Sequence, residues 1–79
     1  MPAPYQPDDQ QLRDRRDVGA RILSLRRQAN LTQEQLGEHV RIDRRTIGRI
    51  ENGLAAPTLD QLSAIARAIG VPLWRLFRE

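Results

Sequence analysis

Apolar residues in this chain cluster at helical spacing, and each cluster is bracketed by helix-starting and helix-stopping residues. Val18, Ile22, Leu25 and Ala29 recur every three or four positions and predict a first helix over residues 17–29. Asn30, a residue that tolerates positive φ, is the expected stop. Thr32 with Gln35 three residues on forms a capping box. Leu31 and Leu36 flank it as a hydrophobic staple, so a second, short helix is expected to end near Val40. Asp43 is the N-cap of a third helix, with Ile42 and Ile47 in the same staple positions, and Asn52-Gly53 ends it. Thr58 and Gln61 repeat the capping box after a loop containing Pro57. The fourth helix is expected to bury Leu59, Leu62, Ile65, Ala66 and Ile69, to stop at Gly70, and to fold Val71 against that stop. Pro72 opens a fifth, short helix whose apolar side is Leu73, Leu76 and Phe77. No segment alternates with a period of two, so the fold class is all-α.

Residues 1–16 read differently. Three of the five prolines fall in the first seven positions, and from Asp8 onward the stretch is polar apart from Leu12. It is expected either to be a disordered tail or, from Asp8 onward, to lengthen helix one. Residues 17–79 are the expected folded domain.

The second and third helices are joined by only two or three residues, 40–42. So tight a connection with an apolar corner is a helix-turn-helix. Leu36, Val40, Ile42, Ile47 and Ile50 fill the corner, and Gly37 lets the helices cross closely. At 100° per residue, Ile47 and Ile50 set the inward face of helix three, with Leu54 continuing it. Arg45, Gly48, Arg49 and Asn52 fall on the opposite face, with Arg44 at its flank. One side is dry and the other rich in hydrogen-bond donors, the division a helix lying in the DNA major groove requires.

Charge sharpens this picture. The chain carries 13 basic residues against 10 acids, a net +3, and every basic residue is arginine. Residues 18–53 hold seven arginines against Glu34, Glu38, Asp43 and Glu51, so the excess is central. Arg41, Arg44, Arg45 and Arg49 share a nine-residue window with Asp43 as its one acid, a candidate electrostatic footprint for nucleic acid. A solvated helix face is the plainer explanation of such a run; the amphipathic division of helix three favours the first. Other classes are excluded on composition. There is no cysteine, and His39, the one histidine, cannot build a histidine-based metal site. No apolar run approaches a membrane span, and the N-terminus lacks the features of a signal peptide. No nucleophile–base pair is suggested. We therefore expect no catalytic residue, metal or cofactor, no membrane association, and a cytoplasmic location.

The stretches Leu31-Thr-Gln-Glu-Gln-Leu-Gly, Ile42-Asp-Arg-Arg-Thr-Ile-Gly-Arg-Ile-Glu-Asn-Gly, Pro57-Thr-Leu and Ala66-Arg-Ala-Ile-Gly-Val-Pro together resemble the Cro/phage-repressor (Xre) family of helix-turn-helix regulators, over about residues 18–77. The resemblance implies a compact five-helix, lambda-repressor-like bundle that binds operator DNA, commonly as a homodimer on an inverted repeat. It departs from the family at Arg41 and Asn30, where the family usually has glycine; at Arg41 either a strained left-handed backbone or a slightly different turn is expected.

Arg45 and Arg49, with Arg44 beside them, are the expected base contacts; Arg44 alternatively binds phosphate. The resemblance implies that Gln33 bonds backbone phosphate and the recognition helix, with a plain helical surface glutamine as the alternative, and that Asn52 and amides near Gly53 bond phosphate, although an ordinary helix stop explains Asn52 and Gly53 equally well. Thr46 serves either groove contact or structural support. Arg26 and Glu51 match a family ion pair between helices one and three. Arg21 and Arg27 are expected to be exposed, with phosphate within reach of either. Trp74 exceeds what the thin core needs and, with Phe77, offers a possible dimer or partner surface; capping of the core is its competing role. The function expected is a sequence-specific DNA-binding transcriptional regulator. The alternative is a helix-turn-helix-fold interaction module, an antitoxin or adaptor, whose main partner is a protein.

Overall fold

The computed structural model describes residues 3–78. Met1 and Pro2 of the expected tail and Glu79 of the expected domain lie outside the described residues. α1 spans Asp9–Gln28, α2 Gln33–Val40, α3 Arg44–Glu51 and α4 Leu59–Ile69; a 3₁₀ helix follows over Leu73–Leu76. No strand occurs among the described residues, and none of their helices is long and apolar enough to cross a membrane.

Local chemistry sets each boundary. α1 starts at Asp9 because Asp8 and Gln11 form a reciprocal capping box, so the helix runs without a break through residues 9–16. Thr32–Gln35 and Thr58–Gln61 do the same for α2 and α4. At α3 the Asp43 carboxylate accepts from the Thr46 amide instead. The stops are equally local. Asn30, Arg41, Gly53 and Gly70 all have positive φ and turn the chain out of α1, α2, α3 and α4.

Ile22, Leu25, Leu36, Ile42, Ile47, Ile50, Leu62, Ile65, Ala66 and Leu76 form one continuous core, with Val18, Leu31, Val40, Ile69, Val71 and Leu73 packed partly buried against it. Three expectations about that core are corrected. Leu54 does not continue the inward face of α3: the chain leaves the helix at Glu51 and turns at Gly53, so the helical period no longer applies and Leu54 is 62% exposed. Leu59 is 65% exposed, because as the first residue of α4 it stands clear of the cluster that encloses Leu62 and Ile65. Phe77 does not join the core either. The terminal element is a 3₁₀ helix of three residues per turn rather than a fifth α-helix, so Leu73 and Leu76 fall in line and Phe77 is rotated away, half exposed.

Two glycines set how closely the elements approach. A Cβ on Gly37 would overlap the Ile42 carbonyl, and one on Gly19 would overlap the Ile50 carbonyl. α2 therefore meets the turn before α3, and the middle of α1 meets the end of α3, at distances a larger residue forbids. Gly19 escapes the argument from apolar spacing; the signal for it is a glycine inside an otherwise regular helix, where it costs about 1 kcal/mol relative to alanine.

Candidate nucleic-acid interface

α3 is anchored from below. Ile47 and Ile50 are buried, and Glu51 at its end is a buried carboxylate. Arg26 of α1 meets that carboxylate with two hydrogen bonds, Nε to Oε2 at 2.6 Å and Nη2 to Oε1 at 3.0 Å, and its third nitrogen donates to the Leu31 carbonyl at 2.8 Å. Gln33, at the first position of α2, donates its Nε2 to Glu51 Oε1 at 3.0 Å. One carboxylate thus ties together α1, α2 and α3. Every polar atom of the pair has a partner, which a charge removed from water requires. The orientation of α3 is the result.

Gln33 is half-buried and its amide nitrogen is engaged by Glu51. It borders two shallow concavities. One is lined with Asp43, Arg44, Arg45 and Gly48, the other with Arg26, Arg27, Thr32, Glu34 and Arg44. The second puts the exposed Arg27 and Arg44 beside the first turn of α2, where helix-end amides and the helix dipole favour an anion. Arg21 is half-buried rather than exposed, and lines a separate concavity with Ser24, Gln28 and Arg75.

The outer face of α3 carries Arg44, Arg45 and Arg49, all exposed. The guanidiniums of Arg44 and Arg45 make no hydrogen bond or ion pair among the described residues. Arg49 donates one Nη2 bond to the Leu54 carbonyl at 3.2 Å, which leans its guanidinium toward the loop after α3. Thr46 is half-buried; its hydroxyl donates to Asp43 Oδ1 at 2.6 Å and its amide to Oδ2 at 3.1 Å. These two bonds hold the Asp43 carboxyl below its ordinary pKa, the hydroxyl bond contributing most. Thr46 in this arrangement supports the helix start. Asn52 is the exposed C-cap of α3, and Gly53 is buried with φ 74°, so close to Arg16 that a Cβ there would strike its Cγ and Cα. The early part of α1 therefore braces the loop that follows α3.

Trp74 and Phe77 lie apart from this face, on the terminal 3₁₀ helix, each about half exposed. The guanidiniums of Arg75 and Arg78 stand 6.0 and 5.5 Å from the Trp74 ring centre.

Comparison with known proteins agrees with this geometry. A family model described as helix-turn-helix matches residues 22–73. The chain is 39% identical over 62 residues to the immunity repressor protein of Bacillus phage phi105, covering 78% of this chain and 43% of the relative. It is 44% identical over 45 residues to an uncharacterized HTH-type transcriptional regulator of Methanothermobacter thermautotrophicus, covering 57% of this chain and 65% of that one. The chain therefore spans less than two thirds of either relative. Among solved structures, the restriction-modification controller protein C.AhdI from Aeromonas hydrophila superposes with a TM-score of 0.79 at 29% identity, covering 82% of this chain and 98% of that one. The matched span runs from the buried middle of α1, through both arms of the turn and the arginine-bearing helix, to the terminal 3₁₀ segment, and the chain belongs to this helix-turn-helix family, of the Cro/phage-repressor (Xre) kind.

Proposed function

We propose that the protein is a sequence-specific DNA-binding transcriptional regulator that lays α3 in the major groove. The observation that carries this is the outer face of α3. Arg44, Arg45 and Arg49 point to solvent from a helix whose other side is locked by buried Ile47, Ile50 and the Arg26–Glu51–Gln33 network. Rigid presentation matters because a side chain reading base edges loses affinity with every rotor it must freeze. Arg27, Gln33 and the Asn52 side chain flank α3 and take the phosphates on either side, fixing its register on the duplex; the amides of Asn52, Gly53 and Leu54 instead donate to the Gly48, Ile50 and Arg49 carbonyls. Family membership and the names of its relatives, a repressor and a controller protein, support the same function.

A homodimer suits such a reader. Two copies place their α3 helices about 34–36 Å apart, and the operator is then an inverted repeat. DNA as the ligand also implies a cytoplasmic setting. The test is titration of fluorescent duplexes, random and genomic, at low salt. The protein is expected to bind, and the variant Arg45→Ala/Arg49→Ala, checked for native helicity by circular dichroism, is expected to lose specific binding. Absence of association with any duplex would refute the proposal.

The half-exposed Trp74 and Phe77 favour a second function, docking of a protein partner, whether another copy or a regulator. If a protein is the main ligand, Trp74→Ala abolishes complex formation while Arg45→Ala/Arg49→Ala leaves it intact.

A further inference from the structure

The chemistry of the α3 face says which bases it takes. The outward face of this helix is dominated by hydrogen-bond donors, and the acceptors at its start are partly engaged. Asp43, the one carboxylate at the start of α3, accepts from the Thr46 hydroxyl through one oxygen and from the Thr46 amide through the other. The Thr46 hydroxyl proton is used in the same contact. The amide nitrogen of Gln33, the side chain nearest to Gly48, is bonded to buried Glu51. Gly48, in the middle of the face, presents no side chain to a thymine methyl. Asn52 has a free amide but sits at the C-cap, beyond the N-terminal part of a recognition helix that meets base edges. Arg44, Arg45 and Arg49 remain.

We infer that the operator half-site of this protein is read chiefly as guanine: α3 selects G·C pairs through its exposed arginines. The inference rests on the DNA-binding function proposed above and names its target. Guanine shows two acceptors, O6 and N7, and no donor in the major groove. Adenine sets a donor beside its N7, and cytosine shows only a donor. A planar guanidinium fits the first edge with two parallel bonds and meets a donor on the others. Arg45 and Arg49 are one helical turn apart, roughly 6 Å along the axis, and Arg44 precedes them. The guanines therefore fall within about four base pairs, given a rise of 3.4 Å per step. Arg49 keeps one nitrogen on the Leu54 carbonyl, so Arg44 and Arg45 have the full fork to offer and their guanines are the more stringent.

Selection of bound duplexes from a random pool by the full chain, followed by base-analogue substitution in the selected duplex, tests this. Two or more guanines clustered in each half-site are expected. Replacing each by 7-deazaguanine, which lacks N7, weakens binding several-fold. Replacing it by inosine, which keeps N7 and O6, leaves binding within about twofold. Arg45→Ala relaxes the preference at one guanine position by about tenfold. Enrichment of half-sites without guanine, or indifference to 7-deazaguanine, overturns this inference while leaving DNA binding in place. Failure of the pool to yield any bound duplex overturns the DNA-binding proposal along with it.

Discussion

Arg26 and Glu51 meet in the interior, 25 residues apart in sequence, with a bidentate contact and a third bond from Arg26 to Leu31. Removing one member strands the other's charge away from water. Arg26→Met is therefore expected to cost about 3–5 kcal/mol in urea denaturation. Arg26→Met/Glu51→Leu should recover most of that loss, since a well-packed apolar pair substitutes for a buried ion pair without the desolvation cost. If the double variant is as unstable as the single one, the pair does more than satisfy itself. Gly48 is the opposite case. A Cβ there makes only ordinary contact with the Gln33 side chain. Gly48→Ala should raise stability by up to about 1 kcal/mol through helix propensity alone. A drop in DNA affinity in the same variant would show that the bare backbone faces the duplex.

At the scale of the elements, two devices hold α3, its cap and its clearance. The Asp43 carboxyl has a lowered pKa because Thr46 bonds its charged form. A depressed acid contributes stability that is fully present above its unfolded value of 3.8 and is lost as pH falls through the lower folded value. Asp43→Asn keeps a capping oxygen without the titration. Its melting temperature should therefore fall less steeply than that of the parent below pH 3.8. Equal slopes would mean that other carboxylates set the acid limb. The clearance belongs to Gly19 and Gly37, whose missing Cβ atoms would strike the backbone carbonyls of Ile50 and Ile42. Backbone cannot swing aside as a side chain can. Gly37→Ala and Gly19→Ala should each destabilise by about 1–3 kcal/mol despite gaining helix propensity. Stability unchanged in thermal melts would contradict that packing.

For the whole molecule, an arginine-only positive excess acts through phosphate neutralisation. Affinity for duplex DNA should fall with salt, with a slope of roughly −4 in the logarithm of the association constant against log salt for about four to five phosphate contacts. Arg27→Ala should make that slope shallower by about one and weaken all sequences alike, unlike Arg45→Ala. What the chain spells locally survives folding well. Caps and stops depend on side chains within three or four positions of the backbone they satisfy, so Thr32–Gln35, Asp43, Thr58–Gln61, Asn30 and Gly70 can be read directly, and with them the helix-turn-helix and the arginine face of α3. At Arg41 the sequence leaves a left-handed residue and an altered turn both open, and the left-handed one forms. Other features depend on atoms distant in the chain, and these are settled by packing. Leu54 and Leu59 follow the apolar period yet face solvent, because Leu54 lies past the residue where α3 ends and Leu59, first in α4, stands clear of the core. Phe77 turns outward because the last element winds at three residues per turn. Gly19 and the bond from Arg49 to the Leu54 carbonyl arise where α1, α3 and the loop after α3 converge, and packing likewise picks Glu51 as the residue by which Gln33 meets the expected helix. Periodicity gives a residue's angle around its own helix; which atoms wait on the other side follows from how the helices are stacked.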